Sequence, residues 1–237
     1  MKKTVIVIPM AGLGSRFEKA GYTKPKPFID VNGQKIINLV LNDIIPDECE
    51  EAVMISLKKN NAKEEIQDLN INNKNIKITV IDLDELTEGA LQTILAAEDK
   101  IKDNSLILSN CDQKVNFDIN DFIEKSNKYD GGLLTFNSNN PHHSYVKKEN
   151  DIIDNIREKE VISNEAVTGV YYFKDANEFI DAAKSVIKFN KKEKGEFYVS
   201  SAIQLMIYKG LKFITYDAES HMLGTPEELE MYLKYNG

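Results

Sequence analysis

The run Val5-Ile6-Val7-Ile8 is apolar on both faces and gives way, one proline later, to the loop Met10-Ala11-Gly12-Leu13-Gly14. A strand this short, β-branched and evenly apolar belongs inside a sheet covered by helices on both sides. The next hundred residues keep the same rhythm. Lys35–Ile45 carries apolar residues at helical spacing until Pro46 stops it, and Ala52–Leu57 reads as a second strand. A polar helix over Ala62–Leu69, a strand at Ile76–Ile81, a helix over Gly89–Ile101 and a strand at Ser105–Ser109 continue the alternation. Ile119, Phe122 and Ile123 mark a short amphipathic helix, and Gly132–Phe136 a further strand. This pattern predicts an α/β fold, Rossmann-like, with a mixed and mostly parallel central sheet flanked by helices. Such sheets bind ligands in the crevice beyond the carboxyl ends of their strands.

The second half is less regular. Ile152–Ile156, Val167–Phe173 and Lys212–Tyr216 read as strands, and Phe179, Ala182, Ala183, Val186 and Ile187 form a helix stripe. Phe197–Ile207 is another expected helix, and Thr225-Pro226-Glu227-Glu228 is a capping box opening a last one to Leu233. No linker or repeat interrupts the 237 residues, so one domain spanning 1–237 is expected.

Charge removes one class of partner. The 38 Asp and Glu against 30 Lys and Arg give a net charge of −8, unlike a nucleic-acid-binding surface. No apolar run is long enough to span a bilayer, and the apolar start is too short for a signal peptide. Cys49 and Cys111 stand far apart and in no metal-ligand spacing, which fits a reduced cytoplasm.

Gly12 and Gly14 come directly after the first strand, where glycine lets backbone N–H groups approach phosphate oxygens. A strand-to-helix turn needing two glycines would look the same. Phe17 stands where a dinucleotide fingerprint needs its third glycine, and G-x-x-x-x-G-K-[ST] is absent. What remains is Gly12-Leu13-Gly14-Ser15-Arg16 and, a few residues on, Thr23-Lys24-Pro25-Lys26-Pro27. Arg16 offers a planar fork for phosphate oxygens, and Lys26 a compact charge in a stiff proline frame.

This bipartite segment resembles the signature of the sugar-phosphate nucleotidyltransferases, the nucleotide-sugar pyrophosphorylases. The resemblance implies a fold of the glycosyltransferase-A type whose loop, with Ala11, Gly12, Gly14 and Ser15, wraps the triphosphate of an NTP. It implies that Arg16 and Lys26 contact phosphates and stabilise the transition state. Residues 1–115 would then bind the nucleotide and 116–237 the acceptor. Gly89 and Ala90, at the start of a helix that Thr87 could equally cap, would shape the base pocket.

Asp112 ends the apolar strand Leu106–Ser109 and could hold Mg²⁺ or simply cap a turn. The resemblance favours Mg²⁺, and it also calls for a second acid just before a late Gly-Thr. Leu223 occupies that position before Gly224, leaving Asp217, Glu219 or His221 as substitutes, or phosphates and water alone. On the acceptor side, Glu158 and Lys159 resemble the family's Glu-Lys pair, with Gly169 alongside and Glu196 in a Gly-Glu segment. His142 and His143 have no partner at metal spacing and read as loop residues near the acceptor.

The implied reaction joins an NMP from an NTP, with CTP slightly favoured, to a small phosphorylated metabolite such as a sugar 1-phosphate. An anionic acceptor needs no strong base, which agrees with the absence of a Ser-His-Asp or Cys-His set. No nucleic acid or membrane is expected as partner, and a homo-oligomer is possible. Two other readings remain: a glycosyltransferase of the same fold, against which Asn110-Cys111-Asp112 lacks Asp-x-Asp, and an idle nucleotide-binding module.

Overall fold

The computed structural model describes residues 2–71 and 76–236. The chain opens with β1 (Thr4–Pro9), α1 (Ser15–Lys19), the small hairpin β2 (Asp30–Val31) and β3 (Gln34–Lys35), and α2 (Ile36–Ile44). Next come β4 (Cys49–Leu57), α3 (Ala62–Glu65), β5 (Lys77–Leu83), α4 (Ala90–Leu95), α5 (Glu98–Ile101) and β6 (Ser105–Ser109). The middle holds β7 (Gln113–Asn116), α6 (Ile119–Ser126), β8 (Gly131–Asn137), β9 (Ser144–Glu149), β10 (Ile152–Glu158) and β11 (Glu165–Phe173). It closes with α7 (Ala176–Lys188), α8 (Val199–Tyr208), β12 (Phe213–Asp217), β13 (Glu219–Met222) and α9 (Pro226–Asn236).

Among the described residues a nine-stranded sheet runs β5-β4-β1-β6-β11-β8-β12-β10-β9. The first four strands are mutually parallel, with Val7 beside both Val53 and Leu108. Beyond β6 the sheet is mixed: β11 runs antiparallel to β6 and β8, β12 is parallel to β8, and β10 is antiparallel to β12 and β9. Parallel pairing is therefore concentrated in the first half, where helical crossovers connect the strands. In the second half β9 and β10 form a hairpin, a connection that parallel strands cannot use.

The alternating side chains of β1 divide the interior. Val5 and Val7 pack with Leu91, Ile94, Phe179, Ala183 and Ile203 under α4, α7 and α8. Ile6 and Ile8 pack with Phe17, Val40, Leu41, Phe122 and Leu229 under α1, α2, α6 and α9. That is the two-sided cover expected from a strand apolar on both faces.

Several boundaries differ from the sequence reading. The expected helix over Gly89–Ile101 is two, α4 and α5, separated at Ala96 and Ala97. The helix expected over Ala62–Leu69 ends at Glu65. Thr87 is not the cap of α4. Gly89 occupies that position, and the Thr87 hydroxyl instead bonds the Gly89 carbonyl (3.2 Å) and the Thr93 hydroxyl (2.6 Å). One half of the expected Thr225 capping box forms: the Glu228 N–H donates to the Thr225 hydroxyl (3.2 Å). The Glu228 carboxylate reaches one residue further back, accepting from the Gly224 N–H (3.0 Å).

Gly89 sits at φ 140° against the backbone of Phe197, which brackets it through Phe197 N–H to Glu88 O (3.0 Å) and Leu91 N–H to Phe197 O (3.1 Å). A Cβ at 89 would lie 2.5 Å from the Phe197 nitrogen and 2.6 Å from its oxygen, atoms that cannot yield cheaply. At Gly12 the same atom would meet nothing within 4 Å. Gly89→Ala is therefore expected to cost about 2–3 kcal/mol. Gly12→Ala should stay within about 0.5 kcal/mol of the parent. Urea unfolding of the two variants checks this, and equal midpoints would refute the bracket.

Candidate active site

Strand order β5-β4-β1-β6 reverses direction between β1 and β6, so the loops leaving these two neighbours diverge and open a crevice. One wall is the loop after β1. Phe17 on α1 is 1% exposed and meets Tyr22 edge to face at 5.2 Å, which pins the far end of that loop into the core. The residue that excludes the dinucleotide fingerprint is thus an anchor. Gly14 caps α1 at φ 63°, turning the chain while Gly12 and Ser15 stay exposed.

Lys26 arrives on a 3₁₀ turn, Lys26–Phe28, framed by Pro25 and Pro27 and locked by fully buried Phe28. Its ammonium reaches across the crevice to Asp112, just beyond the end of β6, with Nζ 2.5 Å from Oδ2. The two side chains are 22% and 23% exposed. Burial alone would lower the Lys26 ammonium. The Asp112 carboxylate, aided by Glu228, outweighs it and holds the group above the usual lysine range. Burial pushes the Cys111 thiol up to about 11, so Cys111 is a neutral wall and no nucleophile at neutral pH.

Around this pair lie two adjoining clefts. The first, of about 530 Å³, is lined by Ala11, Gly12, Gly14, Ser15, Lys26, Gly89, Ala90, Asp112 and Glu196 among others. Leu13 and Leu86, both more than half exposed, stand at its rim. The second, of about 300 Å³, contains Arg16, Glu158, Lys159, Gly169, His142 and His143. Ala90, Asn110 and Asp112 belong to both. Two residues fall on the side opposite to their sequence grouping: Glu196 faces the first cleft, and Arg16 the second. Glu196 leaves a tight Glu193–Glu196 turn, with Lys194 and Gly195 at positive φ, beside the Phe197 bracket and so toward α4. A larger cleft of about 690 Å³ opens near Lys2, Ser105 and Asp175, at the opposite ends of β1 and β6. It gathers none of these loops.

The second cleft is built by β10, β11 and α8. Glu158 ends β10 and accepts from the Ser144 hydroxyl (2.5 Å) and the Ser200 hydroxyl (2.8 Å). Burial pushes its carboxyl up, against the pull of those hydroxyls and of Lys159. Lys159 adopts φ 54°, rare for a side-chain-bearing residue, with its N–H donating to His143 O (3.1 Å). Its Nζ donates to the Tyr198 hydroxyl (2.5 Å) over the face of that ring. Gly169 lies at φ 101° where β11 bulges against β8. A Cβ there would strike Asn110 at 2.2 Å, so the bulge and the Asn110 corner fit only as glycine against amide.

The position before Gly224 is explained by packing. Leu223 is fully buried, and its N–H donates to the Asp112 carbonyl (2.8 Å) at the end of the β7–β13 ladder. The three substitutes suggested by the sequence face elsewhere: Asp217 and Glu219 line a separate cleft with Thr135, and His221 packs 5.6 Å from the Tyr232 ring. Glu228, which the sequence shows only as part of a helix cap, lies with Asp112 and Glu158 in the second cleft, on the Gly224 side of Asp112. Its i,i+4 spacing from Gly224 was the available signal. Among the described residues no group of three or more His, Cys, Asp and Glu could hold a metal by itself. None of the helices they form is long and apolar enough to cross a membrane.

Known proteins share this fold. The family model described as nucleotidyl transferase matches residues 5–228, and the chain belongs to that family of enzymes. Among curated proteins none matches. Among solved structures, the chain is similar to the nucleoside-diphosphate-sugar pyrophosphorylase from Vibrio cholerae RC9, at 25% identity and TM-score 0.80, covering 97% of this chain and 99% of that one. The UDP-glucose pyrophosphorylase from Acinetobacter baumannii shares 16% identity at TM-score 0.81, covering 100% and 94%. The inositol-1-phosphate CTP transferase from T. maritima shares 15% at TM-score 0.75, covering 100% and 98%.

The buried Glu158 gives a pH test. Because its folded-state carboxyl titrates above the ordinary value of about 4.3, the folded chain keeps that proton longer than the unfolded chain. Stability is then lost as pH rises through the interval between the two values. Glu158→Gln cannot ionise and escapes that loss. Its melting temperature relative to the parent should therefore be higher at pH 7 than at pH 4. Circular-dichroism melts at both pH values decide it, and an unchanged difference would refute the assignment.

Proposed function

We propose that the chain transfers a nucleoside monophosphate from an NTP to a small phosphorylated acceptor, releasing pyrophosphate. The observation that carries this is the meeting of two clefts at Asp112, which Lys26 pairs from the first cleft, on the switch point of the sheet. The half up to about residue 115 would bind the nucleotide, and the remainder the acceptor, within one domain.

In this reading the triphosphate lies along Ala11, Gly12, Gly14 and Ser15, whose backbone N–H groups neutralise charge without a competing Cβ. Gly89 and Ala90 would floor the base pocket, with Leu13 and Leu86 at its rim. Glu158, Lys159 and Gly169 would hold the acceptor, Glu196 would accept from substrate hydroxyls, and Arg16 would reach the phosphates between. An acceptor phosphate oxygen attacks the α-phosphorus in line. The new O–P bond forms as the α–β bridging bond breaks, and the electron pair leaves on pyrophosphate. Lys26 and Arg16 stabilise the charge that builds on the phosphoryl oxygens.

Mg²⁺ fits the donor set. Asp112 offers hard carboxylate oxygens, and Oδ2 opens onto Gly224, where a Cβ would come within 2.9 Å. Asp112 would hold the ion, which when bound neutralises phosphate charge. Lys26 would then turn from Asp112 toward phosphate.

CTP is the nucleotide we favour and a sugar 1-phosphate the acceptor, with a place in the supply of nucleotide sugars for surface polysaccharide. The Vibrio neighbour is a nucleoside-diphosphate-sugar pyrophosphorylase, and the T. maritima neighbour a CTP transferase acting on inositol 1-phosphate. Both support a phosphorylated polyol as acceptor class. A cytoplasmic location and a homo-oligomer complete the proposal.

Pyrophosphate release, monitored with each NTP, Mg²⁺ and a panel of phosphorylated acceptors, tests it. One NTP and acceptor pair should give turnover, and silence from every pair would overturn the reading. With the active pair, Lys26→Ala should lower kcat by roughly 10²–10³-fold, the usual cost of removing one charge-stabilising donor. A loss confined to KM would place Lys26 in binding alone.

A further inference from the structure

Where the resemblance leads one to expect a second acid, just before Gly224, the chain has Leu223, fully buried in the core. We infer that Glu228 supplies the second carboxylate of the divalent-cation site, reaching it from the first turn of α9, four residues past Gly224. The inference rests on the nucleotidyltransfer reading above, and it identifies a ligand that the motif does not contain.

Three observations carry it. First, Asp112 and Glu228 open on the same volume. A Cβ at Gly224 would lie 2.9 Å from Asp112 Oδ2 and 3.4 Å from Glu228 Oε2, so glycine leaves this space clear of side chain. Second, Glu228 is aimed and held: Oε2 accepts from the Gly224 N–H at 3.0 Å, while the Leu223 N–H ties the same segment to the Asp112 carbonyl. Third, a cation already sits beside Asp112. The Lys26 ammonium lies 2.5 Å from Asp112 Oδ2, and both carboxylates favour its charge. Two carboxylates with nucleotide phosphate oxygens and water make a hard, all-oxygen set suited to Mg²⁺. Asp217 and Glu219 line a different cleft, so neither can complete it.

Packing also accounts for a leucine at 223. A carboxylate at 223 would have to enter the apolar cluster of Met10, Phe28, Val115 and Leu229. Glutamate from a helix N-terminus brings the charge from the solvent side and keeps that cluster intact.

The test titrates Mn²⁺ alone into the full chain and reads the free ion by electron paramagnetic resonance. Glu228→Gln keeps an oxygen for the Gly224 N–H, so α9 can still start, but removes the charge. Glu228→Gln and Asp112→Asn are each expected to weaken Mn²⁺ at least tenfold, while Glu219→Gln binds as the parent does. Circular-dichroism melts confirm that each variant is folded. The inference is overturned if Glu228→Gln binds Mn²⁺ like the parent, if Glu219→Gln loses as much, or if the parent binds none. Failure of the transfer reaction is separable. Loss of Mn²⁺ in Glu228→Gln, with no pyrophosphate from the parent and any substrate pair, would keep the cation site and sink the reaction.

Discussion

Parallel pairing of β1 with β6, Val5 against Leu106 and Val7 against Leu108, brings two loops of unrelated sequence to the same crevice. The strands between them in sequence, β4 and β5, are laid down on the far side of β1, so the chain must return across β1 to place β6. Their carboxyl ends then lie side by side with no crossover covering them. Gly12 and Lys26 come from the segment after β1, before and after α1, and Asp112 from the loop after β6. The antiparallel β11 on the other side of β6 adds Gly169, and its bulge holds Asn110 at the corner.

Charge at that point is balanced by the protein itself. A lysine surrounded by chain would ordinarily shed its proton more readily, yet Asp112 reverses the direction. A lysine raised in this way contributes stability below the ordinary value of about 10.4 and loses it only as pH climbs through its higher folded value. Throughout the neutral range the pair is therefore formed, and the carboxylate does not face the crevice bare. Such a pair gains less from Coulomb attraction than it would in a dry interior, since each side chain keeps about a fifth of its surface in water. It is consequently an arrangement that incoming phosphate and cation can exchange without a large penalty.

The parallel half of the fold was legible because its signals are local. A β-branched run, a helical stripe and a proline stop each lie within a dozen residues, and β6 matches its expected bounds, Ser105–Ser109. Asp112 stood out because it lies just beyond a strand end, and Lys26 because prolines frame it in the two-part segment after β1; that the two pair across the crevice was not visible in either. The features that escaped depend on distant partners. The ladder β7–β13 joins Gln113 to Met222 across a hundred residues, and neither short polar strand announces itself. β9, Ser144–Glu149, alternates only weakly and is defined by its pairing with β10. Glu228 escaped because a capping acid is a complete explanation of an acid in that place. Only the β7–β13 ladder, by drawing Gly224 against Asp112, gives it a second one.

The backbone bracket between Gly89 and Phe197 makes the two clefts mechanically one. Glu88 and Leu91 pair with Phe197 on either side of the glycine, so the start of α4 cannot shift without carrying the segment that leads from Glu196 into α8. That segment holds Tyr198, which fixes the Lys159 ammonium, and Ser200, which fixes the Glu158 carboxylate. The first cleft is floored by Gly89 and the second walled by Tyr198 and Ser200, and the distance between them is set by two backbone hydrogen bonds rather than by flexible side chains. A side chain at 89 would therefore disturb the geometry of both sides at once, whereas one at 12, which meets no neighbour, would act only where a ligand approaches the loop. The constraint that places glycine at 89 is thus packing between elements, whereas nothing in the protein's own packing requires one at 12.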